Sequence, residues 1–128
     1  MRLLVESYLL LIWTGWAMRT QPLERLLEVT ARPLRSVEGV GAAELARAIS
    51  RSLDLACVFY PRPVLCLERS IATTLLLRRH GIAAELVLGA RMLPFKSHAW
   101  VEVGGVPVND KPYMREIYQV FASGKARV

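Results

Sequence analysis

Cys66, His98 and Asp110 follow one another along the second half of this chain, in an order that suits nucleophilic catalysis. A cysteine attacks as its thiolate, and a nearby imidazole keeps that thiolate populated. A carboxylate on the second ring nitrogen then fixes the imidazole's tautomer and orientation. Cys66 opens the stretch C-L-E-R-S-I-A-T-T-L-L-L-R-R-H-G, where the spacing predicts a helix starting near Leu65 or Cys66 and running to His80. At a helix start, free N–H groups and the positive end of the dipole favour a thiolate. The same groups can hold an oxyanion during acyl transfer.

His98 sits in K-S-H-A-W-V-E-V-G-G-V-P-V-N-D. Strand alternation puts His98, Trp100 and Glu102 on one face and turns Ala99, Val101 and Val103 toward the core. His80 is excluded as the partner of Cys66, because it lies ~20 Å away along the helix at 1.5 Å per residue. It reads as a solvated residue interacting with the helix C-terminal dipole. Cys57, among Leu55, Ala56, Val58 and Phe59, reads as core. On residue types alone, a core Cys66, a structural His98 and a turn Asp110 compete with the triad. A metal site from the same three residues is a poor alternative, since no C-x-x-C or H-x-x-x-H pair occurs. No metal or cofactor is expected.

The elements that must position these residues follow from periodicity. Leu3 to Met18 reads as a helix, with Leu4, Tyr8, Leu11 and Ile12 at helical spacing. Pro22 fits the first turn of a second helix reaching Val29, and residues 32–41 read as a loop. Ala42 to about Val58 is a third helix with a buried stripe of Leu45, Ile49, Leu53 and Ala56. Pro61 and Pro63 break the chain before the helix of Cys66, and Gly81 is expected to end that helix in a left-handed cap. The period then switches to alternation: Ile82 to Arg91, Ser97 to Val103 and Val106 to Asn109 read as strands, with a Gly104-Gly105 turn. The tail from Tyr113 reads as short and basic, with at most one helical turn. Helices first and strands after predict an α+β fold, a helical N-terminal half packed on a small antiparallel sheet. Residues 1–128 read as one domain, with 1–60 a helical subregion and 61–128 the catalytic core.

One register question bears on the triad. A two-residue hairpin pairs Val103 with Val106 and Val101 with Val108, and so turns Asp110 away from the His98 face. A shift by one residue is needed, and Pro107 is a natural place for it. The expectation is therefore a bulge or irregular pairing between Gly104 and Asn109.

Composition limits the alternatives. The 128 residues suit one core. The 17 Lys and Arg against 11 Asp and Glu give a net charge of +6, but the arginines are scattered over helical faces and no nucleic-acid motif accompanies them. A solvated surface is favoured and no nucleic-acid partner is expected. Two cysteines are too few for a secreted disulfide scaffold, which points to reduced thiols and the cytoplasm. A Cys57–Cys66 bridge stays open, and it would consume the nucleophile. The apolar N-terminus is interrupted by Glu6 and is too short to span a bilayer, which takes ~20 apolar residues. Packing on its own domain is favoured over membrane or partner contact, which Trp13 and Trp16 would suit.

C-L-E-R-S-I-A at Cys66, L-L-R-R-H-G-I at Leu76, P-F-K-S-H-A-W-V-E-V at Pro94 and V-N-D at Val108 together resemble the transglutaminase-like cysteine peptidases of lasso-peptide biosynthesis. The resemblance implies a transglutaminase-like, papain-like core and a leader peptidase that cuts a ribosomally made precursor at the leader–core junction. It implies Cys66 as nucleophile, His98 as general base and acid, and Asp110 as its orienter. It also implies three partners: the precursor peptide, a separately encoded leader-recognition protein, and a macrolactam cyclase as a further candidate. The residues before Cys66 read as helices rather than as a strand-rich recognition domain, so a stand-alone peptidase is expected. Its apolar N-terminus and arginines would contribute to the docking surface. Trp100 is expected either to wall the substrate groove or simply to pack. The competing functions are acyl transfer to an amine and a catalytically silent binding module of the same fold.

Overall fold

The computed structural model of the chain describes residues 2–30, 42–61, 64, 66–92, 95–103, 106–109 and 114–123. Along it run α1 (Arg2–Thr20), α2 (Leu23–Thr30), α3 (Ala42–Val58), α4 (Cys66–Arg79), β1 (Ala84–Met92), β2 (Phe95–Val103), β3 (Val106–Pro107), α5 (Met114–Ile117) and β4 (Gln119–Ser123). The four strands form one antiparallel sheet in the order β3-β2-β1-β4, with helices packed on it. The α+β class expected from the sequence is the class observed. The loop read over residues 32–41 and the Gly104-Gly105 turn lie outside the described residues.

α4 is the central element, with α1 and α3 against it on one side and the sheet on the other. Its buried residues, among them Ile71, Ala72, Leu76 and Leu77, leave it little solvent face. Buried hydroxyls on such a helix need partners. Thr73 Oγ1 donates to the Arg69 carbonyl at 2.7 Å and Thr74 Oγ1 to the Ser70 carbonyl at 2.8 Å, so both are satisfied within the helix. Leu76 and Leu77 meet Ile49 and Leu53 of α3 and Val101 of β2 in the main core. Each such fully buried side chain contributes ~1.5–3 kcal/mol relative to an exposed one.

α4 stops at Gly81, whose φ of 82° is left-handed. The Gly81 N–H reaches the Arg78 carbonyl and the Ile82 N–H the Leu77 carbonyl, both at 3.0 Å, which is the paired bonding of a Schellman cap. His80 just before it is not merely solvated. Its Nε2 lies 2.7 Å from Glu6 Oε2, tying the end of α4 to α1. The hydrogen bond and the charge of His80 hold the Glu6 carboxyl below its usual range against a smaller opposing effect of desolvation, and the charges of Arg79 and Arg2 add to the lowering.

Two helical stripes differ from expectation. On α3 the buried residue in the first turns is Ala46, and Leu45 is 37% exposed; the sequence hydropathy favoured Leu, but the helix's rotation is set by Ile49 and Leu53 below it. On α1 the inward face carries small residues, Ser7, Thr14, Gly15 and Ala17 around Leu11, which allow close helix packing. Ile12 is therefore turned outward, and Val5, Leu9 and Trp16 share its exposed stripe. Among the described residues no helix is long and apolar enough to cross a membrane.

β1 pairs with β2 without interruption from Ala84↔Val103 to Met92↔Phe95. β3 follows the simple hairpin register, Val103↔Val106 and Glu102↔Pro107. The next bond, from the Val108 N–H to the Val101 carbonyl at 2.9 Å, keeps that register. Pro107 thus falls between bonded positions on an edge strand, where its missing N–H costs nothing. The pairing then departs from the ladder at Asn109: its side-chain Oδ1, rather than a backbone carbonyl, accepts from the Val101 N–H at 2.8 Å. The bulge or register shift expected between Gly104 and Asn109 is therefore not seen through Val108, where the simple hairpin register holds; only at Asn109 does a side chain replace the backbone acceptor. The tail is more structured than expected: after one helical turn in α5, β4 adds a fourth strand beside β1, with an irregularity at Leu88/Gly89.

Candidate active site

Cys66 is the first residue of α4 and is a half-buried free thiol. It lines an open pocket of about 550 Å³ with Asp54, Cys57, Val58, Val64 and Arg69. One turn further on, Ser70 Oγ donates to the carbonyl of Ala99, the residue after His98, at 3.1 Å. Near its other end, Arg78 donates to the Ala84 carbonyl at 3.2 Å, and Ala84 is paired with Val103. α4 therefore runs along β2 in the same direction. Going back one turn from Ser70 moves ~6 Å along the helix, or about two residues along the strand. That brings Cys66 level with Ser97 and His98 along the strand, with the His98 side chain on the face of β2 away from α4.

His98 is half-buried on the sheet face that alternation predicted, with Trp100 and Glu102. Its ring stacks on Tyr118 with centroids 5.5 Å apart and on Trp100 at 6.1 Å. Trp100 is fully buried, and its Nε1–H donates to Glu102 Oε2 at 2.9 Å. With no exposed surface, Trp100 packs beneath His98. The H-A-W-V-E run is thus a ring, a second ring beneath it and a carboxylate holding that ring. The helix-facing side of β2 carries Ala99 and Val101 instead, with Val101 in the core with Leu76 and Leu77.

Gly89 lies opposite His98 on β1, on the same face. A Cβ there would stand 2.8 Å from Trp100 Cη2 and 2.8 Å from Tyr118 Cβ. Glycine is what lets the aromatic cluster close over the strand. The β1–β4 irregularity sits at the same point, where a bulge re-aims the residues beside it.

Asp110 lies outside the described residues. Asn109, just before it, is tied at three points: to Val101 through Oδ1, to Ser70 Oγ through Nδ2 at 3.3 Å, and to Arg69 through its carbonyl at 3.4 Å. Arg69 also reaches Asp54 Oδ1 of α3 at 3.7 Å. Cys57, across the pocket from Cys66, is held in its thiol form: burial pushes its pKa up against the Arg69 charge, and Asp54 and Glu68 add to the rise. Among the described residues no group of three side chains could hold a metal ion.

Sequence reasoning missed Tyr118, Gly89 and the Asn109 ties. Only Gly89 left a signal, a glycine inside an apolar strand run, which marks a bulge or a close approach.

A helix headed by a cysteine is thus docked on an antiparallel sheet whose second strand carries a histidine. The family profile for the transglutaminase-like superfamily matches residues 8–123, and the chain belongs to that superfamily. The chain is also similar to the microcin J25-processing protein McjB of Escherichia coli, with 49% identity over 57 residues. That stretch is 44% of this chain and 27% of the relative, so the chain matches only about a quarter of that protein's length. No solved structure matches the chain.

Proposed function

We propose that this protein is a cysteine peptidase that removes the leader from a ribosomally synthesised lasso-peptide precursor. The observation that carries the reading is the docking of the helix headed by the free Cys66 thiol on β2, through Ser70 and the carbonyl of Ala99, the residue after His98. Membership of the superfamily and the likeness to a microcin-processing protein support it. Catalysis is assigned to residues 61–128, with 1–60 as helical support.

In this mechanism the Cys66 thiol gives its proton to His98 as sulfur attacks the scissile carbonyl, and Asp110 orients the imidazole. N–H groups at the start of α4 face the oxyanion. Collapse breaks the C–N bond, and His98 returns the proton to the departing core amine. Water, deprotonated by His98, then cleaves the thioester and leaves a leader carboxylate. The reading requires Cys66 Sγ to meet a ring nitrogen of His98. Acyl transfer to an amine is the alternative that the superfamily's character favours. It uses the same groups and differs only in the acceptor.

The decisive test is mass spectrometry of a candidate precursor incubated with this protein and a leader-recognition protein, wild type against Cys66→Ala. Hydrolysis gives leader and core masses that sum to the precursor plus water, and Cys66→Ala gives none. A leader joined to an added amine, with the mass of leader plus amine less water and with free core released beside it, would support the amine acceptor, and unchanged processing by Cys66→Ala would leave only a binding module. Iodoacetamide at neutral pH should modify Cys66 well before Cys57, whose thiol form burial protects. Equal, slow labelling would remove the activated nucleophile. The exposed Val5, Leu9 and Trp16 stripe of α1 is offered as the docking surface for the recognition protein. The reduced thiols fit action in the cytoplasm.

A further inference from the structure

We infer that Asn109 is a positioning residue that fixes the segment leading into Asp110 against both the Cys66 helix and the His98 strand. This rests on the peptidase reading above and adds to it a residue that touches no substrate.

The geometry is specific to asparagine. The Val101 N–H needs an acceptor where β3 has ended, and Asn109 Oδ1 supplies one at 2.8 Å. That bond fixes the amide's orientation, so Nδ2 is left to donate, and it meets Ser70 Oγ at 3.3 Å. Ser70 in turn donates to the Ala99 carbonyl, so one buried hydroxyl receives from the post-β3 segment and gives to β2. The Asn109 carbonyl accepts from Arg69 Nη2, one turn from Cys66 on the same helix. The segments that carry the three proposed triad residues are therefore tied together around one residue. α4 is reached through Ser70 and Arg69, β2 through Val101 and Ala99, and the Asp110 segment by the peptide bond itself. Arg69 continues the tie to Asp54 of α3.

An apolar residue at 109 would leave the Val101 N–H without its acceptor and free the Asp110 segment to shift. A leucine or alanine could fill the space but could not replace the bond. Small displacements matter in such a site, because about 1 Å of misplacement costs about 100-fold in rate.

The test compares Asn109→Ala, Asn109→Asp and Ser70→Ala with wild type in precursor cleavage, with folding followed by circular dichroism and Cys66→Ala run in parallel. Asn109→Ala should lower kcat by about 10- to 100-fold with KM nearly unchanged. Asn109→Asp keeps the acceptor for Val101 and should recover most of the loss, while Ser70→Ala should fall between them. A merely structural role would reduce the folded fraction and leave kcat per folded molecule alone. If folded Asn109→Ala turns over within threefold of wild type, or its loss lies wholly in KM or in folded fraction, the inference is wrong. If Asn109→Ala does not fold, wild-type kcat in both Asn109→Asp and Ser70→Ala would overturn it as well. Cleavage by Cys66→Ala would instead defeat the peptidase reading itself, and this inference with it.

Discussion

The two faces of β2 are built on different principles. The face toward α4 is aliphatic, with Val101 among leucines from three helices. The other face is aromatic, with His98, Trp100 and Tyr118 stacked over Gly89 and sealed by Glu102. Aliphatic packing supplies stability and tolerates small rearrangements, because many side chains of similar size can refill the space. A stack of rings over a bare glycine has no such slack. What it supplies is a fixed position for one imidazole. The difference separates the part of the sheet that keeps the protein folded from the part that holds the proposed base, and mutation can pull the two apart.

The largest effect should come from His98 itself. His98→Ala removes the proposed base, and leader cleavage should fall by about 10²- to 10⁴-fold while the fold persists. Quantitative cleavage kinetics with circular dichroism as the control measure both. Activity within a few-fold of wild type would show that the aromatic face serves packing alone.

Paired substitutions on the two faces come next. Leu77→Ala, in the aliphatic core, should destabilise by about 2–5 kcal/mol in urea unfolding. Its kcat per folded molecule should stay near that of wild type, since the residue belongs to the aliphatic cluster and not to the aromatic one. Gly89→Ala should cost less stability, about 1–3 kcal/mol for forced overpacking, yet should lower kcat, because Trp100 or Tyr118 must shift and His98 stacks on both. The result that would remove the distinction is Leu77→Ala and Gly89→Ala losing activity in proportion to stability.

The same contrast explains how much could be read from the chain. The helices of α1, α3 and α4 and the strands β1 and β2 announce themselves because their burial is periodic along the sequence. The face shared by His98, Trp100 and Glu102 was legible for the same reason. What lay hidden depends on partners distant in sequence. β4 is five residues long and becomes a strand by pairing with β1, about thirty residues earlier. Tyr118 acquires its role only once Gly89 has opened a gap for it. Asn109 reads locally as a turn residue, and its three bonds cannot be inferred without knowing where Ser70 and Val101 lie. Leu45 departs from its expected burial because hydropathy alone does not fix helix rotation, and the smaller Ala46 turns inward in its place.

The smallest predicted effect lies in the helical layer, away from both faces of β2, and depends on pH. Glu6 of α1 meets His80 at the end of α4, and that contact holds its carboxyl below the usual range. A carboxyl whose folded pKa is depressed stabilises the fold where it is ionised in both states. That contribution is complete above the ordinary value of about 4.3 and is lost as pH falls through it and then through the lower folded value. Glu6→Gln should therefore flatten the acid limb of the stability profile as pH falls through and below the ordinary carboxyl value. Because the pair sits near the surface, salt should weaken the effect. Urea unfolding midpoints at several pH values, wild type against Glu6→Gln, measure it. Parallel acid limbs would mean that the α1–α4 contact adds nothing to stability, and that the helical layer is held by its apolar packing alone.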